Sequence, residues 1–370
     1  LQRLLDGGAI LIGKANMHEL AFGVTSNNPA TGAVHNPYDP SKIPGGSSGG
    51  SAVAVAAGIV PLALGSDTAG SVRIPAALSG TFGFVPSAGR YSTKGLMVVS
   101  NTQDRVGTLA RSVRDLVLFD RVLDTNRPHV RPTRLRGLRL GVDRPNFASN
   151  LDPAVSVLFE RALTELRRRG VVLVEAPVLP RPAFLATIGA LRQTIGFFEA
   201  PINTARYLAQ NARPSLTIEQ LAAGVATPEV RGIFFNFLVP GAPGAITPDA
   251  YAQALAAREQ LRGAYRAYFE SQDVAGVLLP TTVLPARPIG QDALVDLNGT
   301  LVPTTLIYSQ NTVPASYAGL PSLSMPIGQT DDGLPGGLEL DGAEGDDENV
   351  LGIGLALERV FGRLPSPIKP

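Results

Sequence analysis

Cysteine and tryptophan are absent from this 370-residue sequence, histidine occurs three times, and lysine appears only at positions 14, 42, 94 and 369. Without cysteine there is no disulfide, no thiolate zinc site and no cysteine nucleophile, and a reducing cytoplasm is the expected compartment. His18, His35 and His129 show no HExxH or related ligand spacing, so each is expected to be a surface or hydrogen-bonded residue, and neither a metal nor another cofactor is expected. Aromatic residues make up 6% of the chain and the formal net charge is +1, which supplies neither stacking platforms nor a polyanion-binding face. Nucleic acid is therefore not an expected partner. The apolar runs are broken by Gly or Pro well short of the roughly 20 residues that span a bilayer, so no membrane association is expected, and no signal peptide is recognisable.

What is present fits a globular α/β protein: 44% hydrophobic and 17% charged residues, in a chain long enough to bury a large core. Val60–Gly65, Leu138–Val142, Val171–Val174 and Val274–Leu279 read as strands, and Pro321–Pro326 with Gly336–Leu340 reads as an adjacent or hairpin-like pair. Ala52–Ile59, Val113–Leu123, Ala154–Arg169, Tyr251–Phe269 and Val350–Phe361 carry helical periodicity, and Gly170 marks a helix end. Ile10–Ile12 reads as a further strand near the start. The opening residue is Leu1, not Met, and the chain is expected to begin in mid-fold, with an N-terminal portion missing. We expect one large mixed-sheet α/β domain over 1–370, in which 181–254, with Phe197-Phe198 and Phe234-Phe235, forms an insertion that roofs a substrate pocket; the alternative is that these aromatics only fill core.

The chemistry is concentrated in Gly45-Gly46-Ser47-Ser48-Gly49-Gly50-Ser51 and Gly65-Ser66-Asp67-Thr68-Ala69-Gly70-Ser71-Val72-Arg73. Glycines let backbone turn tightly and approach a reacting group, so these segments can place a serine and several peptide N–H donors around one small oxygen. An apolar stretch follows the first segment at once, which argues against a solvated linker. A serine hydroxyl needs a base. No G-x-S-x-G elbow with ordered Asp and His is present, so histidine is not indicated; a lysine of lowered pKa could serve, with a second serine carrying the proton. On that logic Ser71 is the nucleophile, Ser47 the relay, and the Thr68-Ala69-Gly70 backbone the oxyanion site.

These two segments, with Ile74-Pro75, Gly80 to Gly83, Gly89-Arg90, Gly13-Lys14-Ala15-Asn16-Met17-His18-Glu19, Arg105 to Asp115, Gly319 to Pro326 and Gly333 to Gly342, resemble the amidase signature family over almost the whole chain. The resemblance implies that family's fold, a large mixed twisted β-sheet covered by helices on both faces, and amide hydrolysis by a Ser/cis-Ser/Lys triad. Carried over, Ser71 corresponds to the acylated nucleophile and Ser47 to the cis-peptide serine, with Ser48 a loop neighbour. The backbone of Thr68, Ala69, Gly70 and Ser71 corresponds to the oxyanion hole, and Asp67 and Arg73 would brace the loop. Family geometry would show a cis peptide before Ser48 and Ser71 Oγ near Ser47 Oγ.

The family's lysine lies in an apolar strand upstream of the element that Gly13-Lys14-Ala15-Asn16 resembles; no lysine here occupies such a strand, and Lys14 matches a different, structural one. The base is accordingly expected in the missing portion. Within the family, Asn101 to Gly107 and Gly354 to Gly362 resemble mandelamide and indoleacetamide hydrolases, which implies a small aryl-substituted carboxamide as substrate and ammonia as product. A catalytically impaired or purely small-molecule-binding member is one alternative. A glutamyl-tRNA amidotransferase A-type subunit is another, although Ile74 stands where that subunit usually has glutamine. A homodimer is left open.

Overall fold

Alternation with period two builds the middle of the molecule. Along Ser322–Met325 and Leu338–Asp341, Leu323, Met325, Leu338 and Leu340 point to one face and are fully buried in the largest apolar cluster, while Ser322, Ser324, Glu339 and Asp341 are buried on the other. The computed structural model describes residues 1–124, 129–212 and 214–367. In chain order the strands are β1 (Asn27–Asn28) and β2 (Gly32–Ala33), a short hairpin; β3 (Leu62–Asp67), β4 (Phe82–Val85), β5 (Arg105–Ala110), β6 (Arg139–Val142), β7 (Val172–Glu175) and β8 (Val277–Pro280); β9 (Leu294–Leu297) and β10 (Thr300–Pro303), a second hairpin; and β11 (Ser322–Gln329) and β12 (Pro335–Asp341).

Eight of them form one mixed sheet, in the order β3-β5-β4-β11-β12-β8-β6-β7. Pairing is antiparallel from β3 to β8 and parallel across β8, β6 and β7. Helices flank the sheet. The apolar face packs on helices Val113–Leu123, Pro153–Arg168 and Asp347–Phe361, through residues such as Leu116, Phe159, Leu163, Val350 and Leu357. These helices start where side chains can satisfy free N–H groups: Ser112 accepts from Asp115 N, and Asp152 accepts from Ala154 N beside a proline in the first turn. Against the other face lie the short helices Gly49–Ala56 and Arg73–Leu78 and, further along, Val313–Ala318 and the long helix Pro248–Gln272.

Most of the expected elements form within a few residues of their expected bounds. Two differ. The helix expected over Ala52–Ile59 runs Gly49–Ala56, because the last residues of the glycine-serine segment themselves make its first turn. Ala9 to Ile12 is not a strand: Ile10, Leu11 and Ile12 are 83%, 57% and 71% exposed, the Ala9 N–H turns back to the Leu4 carbonyl at 2.9 Å, and the run pairs with no strand among the described residues. Apolar β-branched residues favour extended backbone, but a strand exists only where a ladder partner receives it.

Residues 181–254 contribute helices Arg181–Leu191, Thr194–Asn211, Ile218–Gly224 and Pro228–Ile233, followed by a wide turn over Phe234–Leu238. Phe197 and Phe234 are buried there with Phe22, whose ring meets that of Phe234 edge-on at 5.5 Å, whereas Phe235 is 45% exposed. No helix among the described residues is long and apolar enough to cross a membrane.

Truncating the centre of the sheet should be costly: Leu340→Ala is expected to lower unfolding free energy by about 2–5 kcal/mol, read as a lower urea midpoint at unchanged slope.

Candidate active site

The polar face of the sheet ends in charge. Asp67 closes β3, Arg105 opens β5 opposite it in register, and Glu339 and Asp341 end β12. Into this ring reaches Arg73, from the start of the helix that follows the second glycine-serine segment. Its guanidinium is completely buried and donates from Nε and Nη2 to the two Asp67 oxygens at 3.2 and 3.0 Å, from Nη1 to Glu339 Oε1 at 2.6 Å and to the Thr312 carbonyl at 2.9 Å, and from Nη2 to Ser316 Oγ. Burial would raise the Asp67 carboxyl, but Arg73 outweighs it and holds Asp67 at about 2. Burial raises Glu339 well above the carboxylate range, opposed by Arg73 and reinforced by Asp341. Burial also pulls Arg105 down to about 10, and its Nη1 binds the carbonyls of Pro86 and Leu320.

Asp67 does a second job. Its Oδ1 accepts the Gly70 N–H at 2.8 Å and its Oδ2 the Val72 N–H at 3.0 Å, so one carboxylate folds the chain from 67 to 72 into a tight loop. Gly70 sits at φ +123°, where a Cβ would lie 2.2 Å from Thr312 Oγ1, so both backbone conformation and space demand glycine. At Gly65 space alone is the constraint: a Cβ would stand 2.7 Å from Ser48 Oγ and 2.8 Å from Val72 Cγ2. The amides of Thr68, Ala69 and Ser71 have no acceptor among the described residues. Gly70, expected with them as an oxyanion donor, spends its N–H on Asp67 instead.

Ser71 lies at the end of this loop, 8% exposed, and Ser47 is fully buried on the other segment. The segments are joined by the Ser48 N–H donating to the Ser71 carbonyl at 3.1 Å, and Ser48 Oγ exchanges 3.3 Å contacts with the Ser66 backbone. The cis peptide is Gly46–Ser47, one residue earlier than the bond before Ser48 that was expected; Ser47 itself follows it. Ser47 Oγ has no hydrogen-bond partner among the described residues, so the expected hydroxyl contact with Ser71 is not made in this structure. Lys14 and Lys94 are exposed, Lys42 is half-buried, and Lys369 lies outside the described residues. None of the described lysines reaches Ser47.

Three acidic groups around this centre carry no sequence signal that singles them out. Asp104 accepts from Thr68 Oγ1 at 2.8 Å and from the Val99 N–H at 2.7 Å, and burial pushes it up to about 6 despite these donors. It also lines a cavity of about 360 Å³ with Ser87, Tyr91, Lys94, Asn101 and Arg105. Glu199, on the helix Thr194–Asn211, gathers donors from Ser100, Thr102 and Tyr251. Glu19 accepts the Ala226 and Thr227 N–H groups ahead of the helix Pro228–Ile233, while the neighbouring His18 N–H binds the Ser47 carbonyl at 3.0 Å. Burial lowers His18 to about 4, so its ring is neutral near pH 7, with Nδ1 3.3 Å from Thr25 Oγ1.

The amidase family model matches residues 1–351. The chain belongs to the amidase-signature family. It is 41% identical over 361 residues to an indoleacetamide hydrolase of Agrobacterium vitis, covering 97% of this chain and 76% of that protein, and 35% identical over 384 residues to a mandelamide hydrolase of Pseudomonas putida, covering 100% and 73%. A solved structure described as an amidase superposes with a TM-score of 0.83 at 34% identity, over 98% of this chain and 77% of that one. This amidase-signature chain is thus a hydrolase of carboxamides.

Replacing Arg73 by methionine should leave buried carboxylates unpaired and cost about 3–5 kcal/mol, seen in urea unfolding. Because Asp67 titrates below its ordinary value of 3.8, the stability it contributes is complete above that pH and lost as pH falls through about 2. Stability curves of Arg73→Met and the parent should therefore converge toward pH 2; parallel curves would contradict the pairing.

Proposed function

We propose that this amidase acts on a small aryl-substituted acetamide, with Ser71 as nucleophile. Ser71 Oγ attacks the carboxamide carbon while its proton passes to Ser47 and on to a lysine base that the described residues do not supply. Negative charge on the carbonyl oxygen is received by the free amides of Thr68, Ala69 and Ser71, preorganised by Asp67 and therefore needing little rearrangement as charge develops. The C–N bond breaks, the amine takes a proton and leaves as ammonia, and water repeats the attack on the Ser71 ester to give the carboxylate and regenerate the hydroxyl. The single observation that carries this reading is the loop 67–72, with three unengaged amides and Ser71 folded around one buried, Arg-paired carboxylate.

The helices of 181–254 are proposed as the roof of the acyl pocket. Their inward aromatics, Phe197 and Phe234, meet Phe22 on the segment that leads to Ser47, and the indoleacetamide and mandelamide hydrolases named above act on substrates carrying an aromatic ring. The reaction is proposed to need no cofactor, nucleic acid or membrane and to run in the cytoplasm.

The orphaned Ser47 hydroxyl favours a second reading, a member that binds amides but turns them over poorly. One experiment separates the two: hydrolysis of indole-3-acetamide and phenylacetamide, with intact-mass detection of a fluorophosphonate adduct, for the parent, Ser71→Ala and Ser47→Ala, each with and without small primary amines. Amide hydrolysis predicts a Ser71-dependent adduct, a loss of about 10⁴-fold or more in Ser71→Ala, and a loss of about 10²–10⁴-fold in Ser47→Ala. If the base is missing from the chain, added amine should raise the parent's rate and leave Ser71→Ala inert. Amide binding with no adduct on Ser71 under any condition would establish the binding protein.

A further inference from the structure

One face of the helix Thr194–Asn211 grips the turn that precedes β5. Gly196, Glu199 and Asn203 recur at helical spacing, and each meets this turn. A Cβ on Gly196 would touch Gln103 Oε1 at 3.5 Å, and Asn203 accepts from Asn101 Nδ2 at 2.8 Å and donates to the Val99 carbonyl at 3.2 Å. Glu199 is the centre of the contact. Its Oε2 accepts from Ser100 Oγ at 2.6 Å and from the Thr102 N–H at 3.1 Å, and its Oε1 accepts from Thr102 Oγ1 and, at 2.7 Å, from the Tyr251 hydroxyl. Phe198, next along the helix, stacks on Tyr251 with ring centroids 4.1 Å apart. Burial works against the ionised form of Glu199, but these donors outweigh it and lower its pKa.

The same turn is tied at its other end to the nucleophile loop. Asp104 takes the Thr68 hydroxyl on one oxygen and the Val99 N–H on the other, so the turn is closed on itself and fastened to the first residue of the amide run Thr68, Ala69 and Ser71. A buried carboxylate is expensive unless its donors are present, so the turn cannot shift away from either carboxylate without leaving it unsatisfied. Glu199 and Asp104 are thus two anchors of one short strap between the helical segment and the oxyanion loop.

We propose that Glu199 is a positioning residue, through which the helices of 181–254 fix the backbone of Thr68–Ser71 by way of the turn Val99–Asp104. The proposal rests on the reading of that loop as the oxyanion site. Glu199 need not touch substrate: a displacement of the amides by about 1 Å is enough to cost on the order of 10²-fold in rate. The strap also couples the two halves of the site, because whatever moves the proposed pocket roof pulls on the same turn.

The test is hydrogen–deuterium exchange on the whole chain together with rates, for the parent, Glu199→Ala, Glu199→Gln and Thr68→Val. Glutamine can keep the acceptor side toward Ser100 and the Thr102 N–H, and its amide can donate to the hydroxyls on the other side. Glu199→Ala should speed exchange of the Gly70 and Val72 amides, which Asp67 holds, by at least about tenfold, the equivalent of one lost hydrogen bond, with exchange in β11 and β12 unchanged, and Glu199→Gln should restore most of the protection. In adduct formation at Ser71, Glu199→Ala and Thr68→Val should be strongly non-additive, and with an amide the loss should fall on kcat more than on KM. Faster exchange confined to 99–103 and 194–211, or additive effects of the two substitutions, would overturn the proposal. If the parent forms no adduct, the reading of Ser71 fails separately, while the exchange of the Gly70 and Val72 amides still decides whether the strap holds the loop. If Glu199→Ala does not fold, Tyr251→Phe, which removes one donor and keeps the ring stack, gives the same comparison with a smaller expected change.

Discussion

Everything at the centre of this protein depends on one buried arginine. Arg73 binds Asp67 through two nitrogens and Glu339 through a third, with all three side chains sealed from water. An isolated charge in such a place would be intolerable, and even paired ions regain little net stability over an apolar replacement. The value of the arrangement lies in its direction. Asp67 ends an edge strand, Glu339 belongs to a central strand, and Arg73 opens the helix between the candidate nucleophile and the core, so satisfying one guanidinium fixes three elements at once.

The consequence is a loop whose shape is decided by charge and not by apolar packing. Once Arg73 pins the Asp67 carboxylate, its oxygens are aimed at the amides of Gly70 and Val72, and those of Thr68, Ala69 and Ser71 are left without an acceptor among the described residues. The carboxylate consumes alternate donors and so creates the unengaged ones. This explains why the Gly70 N–H is spent. It also explains why Gly70 cannot carry a side chain: Thr312, which hands its carbonyl to Arg73 and its hydroxyl to the Ala69 carbonyl, occupies the space a Cβ would need. The electrostatic anchor and the steric wall are the same residue pair seen from two sides.

Much of this was legible in the sequence because it is written in short-range chemistry. The strands β11 and β12 announce themselves by alternation, the helices Val113–Leu123 and Pro153–Arg168 by periodicity and caps, and the glycine-serine segments by composition. What was not legible is tertiary. Ile10 to Ile12 has every local property of a strand and lacks only a ladder partner among the described residues. Asp104 and Glu199 sit in sequence contexts that suggest a turn and a helix face, and nothing in those contexts says that they meet across Ser100 and Thr102. The occupied Gly70 amide follows from where Asp67 points, and that in turn follows from Arg73 and Glu339, residues far apart in the chain.

Ser47 bears the one buried side-chain oxygen of its segment with no hydrogen-bond partner among the described residues. A hydroxyl that is fully buried and makes no hydrogen bond is a standing cost, of the same order as the bonds that hold the loop together. Groups around it are engaged: the carbonyl of Ser47 is taken by the His18 N–H, the neighbouring Ser48 N–H by the Ser71 carbonyl, and the Ser26 hydroxyl by the Gly45 carbonyl. The segment is thus tied through its backbone on both sides of Ser47, while Ser47 Oγ makes no hydrogen bond among the described residues. Because a serine hydroxyl can both accept and donate, one polar group presented to Ser47 would remove that cost and complete the relay proposed to lead away from Ser71.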